Sequence, residues 1–337
     1  MMSKPLPILD QMPWNVKRAI VNSSDNKTKT ELRRCSKELN EHVKDSKINL
    51  GPFLFRMHSN GRGGSLALNC KAVFGSDSTL GSYFVTEDRG ATYTEIGEGN
   101  FISYSVEQLM KVFKNQAVHI ECLMIDFDYD PSSDRQKQHA LQFTKKLKEE
   151  MSKLSHQISV GMLLMFNDSN PDPILLILRH IKPSRQFSLA LHPMDGGFLS
   201  SGAPFSKVNL SKIAETEQWK RANCVVLRRF TVPVDCPDTM CIPSMLFNVP
   251  VLSVKDVKFI VENITRRNGW RERTFTCQNV DESVMEYLGN FRVGQRGHGY
   301  DYEVPGVNGV PCYAHVLGRS KMKLWFHSYS EKPKSYY

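Results

Sequence analysis

From residue 105 onward the chain alternates segments of helical period with short apolar runs, and that rhythm restricts its fold more than any other feature. Val106, Leu109, Val112 and Phe113 line one helical face, and the run Val118–Phe127 behind them reads as a strand. A charged helix is expected over 133–154, then a strand over His156–Phe166. The second half repeats the order. A helix over 211–222 leads to the strand Cys224–Thr231, and Val257, Ile260, Val261 and Ile264 mark another helix that stops near Asn268-Gly269, before the strand Arg273–Val280. Two of these helices open alike, Ser105-Val106-Glu107-Gln108-Leu109 and Ser253-Val254-Lys255-Asp256-Val257, each with a capping-box signature. The pattern suggests helix–strand units stacked side by side.

Before residue 105 the texture is that of hairpins. Phe53–Met57 and Ser65–Phe74 flank the turn-rich Ser59–Gly64, and Tyr83–Thr86 and Ala91–Ile96 flank Glu87-Asp88-Arg89-Gly90, which predicts a second hairpin. The glycine- and aromatic-rich stretch Phe291–Tyr329 reads as a closing hairpin. The expected class is therefore α+β: a small helical N-terminal unit over 5–47, then a mixed α/β body over 50–337, with a subdivision near 104 between a β-rich part and the helix–strand units.

Composition narrows the functional classes. The chain has 337 residues, 44 Lys+Arg against 35 Asp+Glu, and a formal charge of +9, which hints at an acidic partner. The N-terminus lacks an apolar signal core, and no apolar run approaches the roughly 20 residues a bilayer requires, so neither secretion nor membrane insertion is expected. The 8 cysteines show no framework spacing and read as reduced thiols in cytoplasm or nucleus. Cys236 and Cys241 lack a second ligand pair, so no metal or other cofactor is expected.

The first 47 residues stand apart. They hold ten Lys/Arg, six Asp/Glu and no glycine. Pro13 suits the first position of a helix carrying Val16 and Ile20, and a second helix places Leu32, Cys35, Leu39 and Val43 at steps of three and four. The wording Met12-Pro13-Trp14-Asn15-Val16-Lys17-Arg18-Ala19-Ile20, then Asp25-Asn26-Lys27-Thr28, then Leu32-Arg33-Arg34-Cys35-Ser36-Lys37-Glu38-Leu39 resembles an F-box of the large nematode families. Two positions depart from that pattern: Ser24 stands where leucine is usual, and Lys29 where the residue is often apolar. The body resembles, at the level of pattern, the associated region of those families, with units like irregular leucine-rich repeats.

The resemblance implies a non-enzymatic substrate receptor of a cullin-RING ubiquitin ligase. The F-box would bind an acidic Skp-type adaptor and, through it, a cullin scaffold, while the body captures a target protein. It implies a contact face of Leu9, Pro13, Val16 and Ile20, with Leu32 and Cys35 in the internal packing, and Lys17, Arg18 and Arg34 available to steer the adaptor.

Two other chemistries compete. Asp126 and Asp128 alternate at the end of an apolar run, where a phosphoryl-transfer enzyme keeps a nucleophile and an acid beside a metal, but Asp130 and the missing second acidic pair depart from that arrangement. Arg228, Arg229, Arg266 and Arg267, followed by Trp270, Arg271 and Arg273, could form a basic stripe for nucleic acid, though no nucleic-acid motif accompanies them.

Overall fold

The computed structural model describes residues 12–24, 26–35, 37–39, 41, 48–57, 64–68, 71–75, 82–86, 92–96, 101–127, 134–166, 171–192, 206–207, 210–266, 271–296, 299–317 and 322–327. Among the described residues, helices α1 (Trp14–Ser23) and α2 (Asn26–Cys35) precede the body, with further helical residues at 37–39 and 41. The strands β1 (Ile48–Leu50), β2 (Phe53–Met57), β3 (Gly64–Leu68), β4 (Lys71–Gly75), β5 (Ser82–Thr86) and β6 (Thr92–Ile96) follow. Next come α3 (Phe101–Phe113), β7 (Val118–Phe127), α4 (Asp134–Met151), β8 (Ser159–Phe166), α5 (Asp172–Leu178), β9 (Ser188–His192), β10 (Ser206–Lys207), α6 (Ser211–Ala214), α7 (Glu217–Arg221) and β11 (Cys224–Thr231). A 3-10 turn at Pro237–Thr239 leads to β12 (Ser244–Leu252), α8 (Val254–Thr265), β13 (Glu272–Val280) and α9 (Glu282–Gly289). The chain closes with β14 (Arg292–Arg296), β15 (Gly299–Pro305), β16 (Pro311–Leu317) and β17 (Met322–His327).

The parallel strands β2, β7, β8, β9, β11, β12 and β13 lie side by side in the order in which the chain makes them. That one-way winding is the layout of a solenoid, where each unit packs chiefly on its neighbours. Register aligns one residue of each strand into a row: Phe53, Leu123, Leu163, Leu189, Val225, Met245, Arg273 and, on antiparallel β17, Phe326. Every member is at most 2% exposed. Helices α3 to α9 bury their apolar stripes in the same core as this row. The alternate strand residues Leu54, Cys122, Met124, Leu164 and Ala190 form a separate buried cluster on the opposite face.

The α+β class is as expected, and so are the bounds of β11 and the Ser253–Asp256 capping box, where each partner's side chain meets the other's backbone N–H. Several local expectations need correction. Helix α3 begins at Phe101, so Ser105 is an interior residue, fully buried, and no cap. The helix expected over 211–222 is two short ones, because the Thr216 hydroxyl starts a new helix by accepting from Trp219 N (3.2 Å). The run Ser65–Phe74 is two strands, and β5 pairs with β4 while β6 pairs with β3, so the expected hairpin between β5 and β6 does not form. Separately from these corrections, β2 stands beside β7 in the parallel array, and β3 and β6 extend it. The closing hairpin is a four-stranded antiparallel meander, β14 to β17, docked on β13.

β1 and β2 behave as one strand path. Leu50 faces Ile120 and Phe53 faces Leu123 on β7, so the register carries across Gly51-Pro52, where proline cannot donate to the ladder. The first parallel strand of the body therefore begins directly after the N-terminal unit.

Candidate functional site

The N-terminal unit is built around a helix that buries a lysine beside Val21 while leaving two of its large hydrophobes exposed. Pro13 opens α1, and its carbonyl accepts from Val16 N (3.0 Å) and Lys17 N (3.1 Å). On this helix the lysine goes inside. Lys17 is 4% exposed and its Nζ donates to Glu38 Oε2 at 2.6 Å, beside a small core of Val21, Leu32 and Leu39. The hydrophobes Trp14 and Val16 go outside, at 55% and 39% exposure. A soluble helix ordinarily does the reverse, and an exposed large apolar side chain beside a buried cation is the informative exception.

The expected contact residues are distributed unevenly. Pro13 and Val16 are exposed and Ile20 is half-buried, three, four and seven residues apart in combination, so they share a stripe turned partly to solvent. Leu32 is buried, as internal packing requires. Cys35 is not part of that packing: it is exposed, and its thiol donates to the Glu31 carbonyl (3.4 Å). Leu9 lies outside the described residues. Of the cations expected to steer a partner, Lys17 is unavailable because it is buried and paired, whereas Arg18 and Arg34 are exposed, Arg34 beside Glu31 (3.3 Å). Ser24 and Lys29, the two departures from the motif, both lie among the described residues. Ser24 Oγ donates to the Ile20 carbonyl (2.7 Å), and Lys29 is buried to 5% exposure.

The rival sites are less well assembled. Asp126 is 6% exposed and its Oδ2 accepts from Arg56 Nε at 2.8 Å, an ion pair across β2 and β7, while Asp128 lies outside the described residues. Among the described residues, no group of three His, Cys, Asp or Glu is placed to hold a metal ion. Arg273 cannot belong to a basic stripe, because it is 1% exposed with its guanidinium on backbone carbonyls, and the other described arginines are spread apart. Arg228 and Arg229 stand toward the C-terminal end of β11, whereas Arg266 closes α8 just ahead of β13, whose first residue, Glu272, shares a row with Ser244 and Cys224 at the other end of the sheet. Arg266 is also paired with Glu262 of its own helix, and Arg267 and Trp270 lie outside the described residues.

Val16 and Ile20 complete a helical stripe without Trp14, and only its exposure separates Trp14 from a core residue. The burial of Lys17 had one legible signal, its i, i+4 spacing to Val21 on the face opposite Asn15 and Ala19. No described helix is long and apolar enough to cross a membrane. Set against protein-family profiles, curated proteins and solved structures, the chain matches none of them.

Proposed function

We propose that this chain is the target-binding subunit of a Skp–cullin-type ubiquitin ligase, with the N-terminal helices holding the adaptor and the solenoid body presenting the target. The observation that carries this reading is helix α1, which keeps Lys17 and Val21 for its own core and turns Pro13, Val16 and part of Ile20 outward. Such a face is suited to a partner that supplies the missing apolar surroundings. The unit joins the first strand path of the body, so a target on the sheet would be held near the adaptor. The chemistry would then be proximity: tethering raises the effective concentration of a target lysine near the ubiquitin thioester carried by another subunit.

The test is a pull-down of a purified Skp-type adaptor by the full chain and by Val16→Asp plus Ile20→Asp. Two carboxylates forced into an apolar contact should weaken capture by about 100-fold or more, since unpaired buried charge costs several kcal/mol. Circular dichroism confirms that the double variant stays folded. Undiminished capture by the folded double variant would reject this face as the contact.

A further inference from the structure

The two most exposed hydrophobes of α1 do not share a face. At about 100° per residue, Trp14 lies about 160° around the helix from Val16, so the Val16–Ile20 stripe and the Trp14 flank border the buried Lys17–Val21 face from opposite sides. The two flanks can be touched together only at the N-terminal end of the helix, where Pro13 is exposed as well. Trp14 is also prepared for contact. The Arg18 guanidinium lies over its ring, 5.1 Å from the centroid, fixing the indole and leaving it 55% exposed. Trp219, the other tryptophan whose side chain is described, is completely buried.

We propose that Trp14, backed by Arg18, is a second anchor of the adaptor interface, and that the partner docks over the first turn of α1, end-on, with an apolar pocket rimmed by carboxylates. This rests on the adaptor reading above and adds the direction of approach and the chemistry of the pocket. The indole supplies a large rigid apolar surface, and such residues, with arginine, dominate binding energy in well-packed interface centres. Arg18 enters the contact with its charge intact, so the pocket that closes over the pair must answer that charge; acidic groups at its rim do so without being buried themselves. Docking along the side of the helix would instead cover its outer face, where Ala19 is exposed opposite the Lys17–Val21 face.

The experiment measures the affinity of the full chain for a purified Skp-type adaptor, at low and high salt, for the wild type, Trp14→Ala, Arg18→Glu, Ala19→Arg and Val16→Asp. Trp14→Ala should weaken binding by about 30-fold, the range of an interface hot spot, and leave the far-ultraviolet spectrum unchanged. Arg18→Glu should weaken it by about 10-fold and reverse the sign of the salt effect. Ala19→Arg should change it by less than about 2-fold, as expected for a residue outside the contact. Trp14→Ala binding like wild type while Val16→Asp fails would overturn the anchor and leave the adaptor reading standing. Loss of binding by Ala19→Arg would replace end-on docking with docking along the side. A wild-type chain that does not bind the adaptor would remove the adaptor reading, and the anchor with it.

Discussion

Replacing Arg273 by methionine should destabilise the protein by about 3–5 kcal/mol, although the new side chain matches every neighbour in its row. Arg273 is 1% exposed and occupies the position that its neighbours give to Met245 and Phe326. Its guanidinium donates to the carbonyls of Ile242 (2.8 Å), Pro243 (3.0 Å), Glu272 (3.0 Å) and Thr239 (3.4 Å). Three of those belong to the link between β11 and β12, which holds only a 3-10 turn where other crossovers hold a helix. Burial pulls the guanidinium down to about 9, still protonated at neutral pH, so the carbonyls neutralise a real charge. Without it, several buried acceptors lose their donor, at about 1–3 kcal/mol each, partly offset by the removal of a buried cation. Urea unfolding measures the total, and hydrogen exchange should locate the loosening in 236–243, where Trp219 Nε1 still donates to the Asp238 carbonyl (2.7 Å). A loss below about 1 kcal/mol would mean that the link holds itself, since that is no more than a typical single hydrogen bond contributes.

A single methyl group at Gly306 should cost about 2–3 kcal/mol, near the upper end for an overpacked site. The backbone there is ordinary, at φ −105°, so the penalty is one of space. A Cβ would overlap Thr265 Cγ2 and the carbonyl oxygen of Val310. Both neighbours are committed. Gly306 N donates to Val310 O (3.0 Å), and the Thr265 hydroxyl accepts from Val307 N (3.0 Å) while donating to Val261 O (2.7 Å). These bonds tie the turn between β15 and β16 to the last turn of α8, and Gly306→Ala would pry them apart. Gly289 serves as the control. It ends α9 with nothing within 4 Å of an added Cβ, so Gly289→Ala should be neutral or stabilising by up to about 1 kcal/mol. Equal melting temperatures for the two variants would contradict the packing at Gly306.

Much of the architecture was legible because burial on the parallel strands follows a local pattern. Val118–Phe127, Cys224–Thr231 and the helix capped by Ser253 announce themselves through apolar runs and caps. A further signal lies in the spacing of the apolar residues. Leu50, Phe53 and Phe55, then Ile120, Leu123 and Ile125, Val160, Leu163 and Met165, Ala222, Val225 and Leu227, and Ile242, Met245 and Phe247 all repeat one spacing, apolar-x-x-apolar-x-apolar. The structure puts the middle member of each in the same buried row. What misled was polarity at single positions. Ser105 looks like a cap yet lies inside a helix, and Arg273 interrupts the repeat because its partners are carbonyls that only the fold brings near. Pairing among β3 to β6 was hidden for another reason: short antiparallel strands of similar composition carry little register information, so adjacency in sequence was a poor guide. At the N-terminal unit, Val16 and Leu32 were legible from spacing, whereas the inward turn of Lys17 depends on Glu38, which a separate part of the chain supplies.

The row of buried residues has a consequence for how such a chain can change over time. Crossovers as unlike as the 18-residue α4 and the three-residue 3-10 turn deliver their next strand to the same lateral position. The sheet therefore does not register the length of what joins its strands. Insertions, deletions and exchanged loops can accumulate on the crossovers other than the β11–β12 link, whose carbonyls hold Arg273, while the row that fixes alignment stays untouched, so most of the surface can diversify without renegotiating the core.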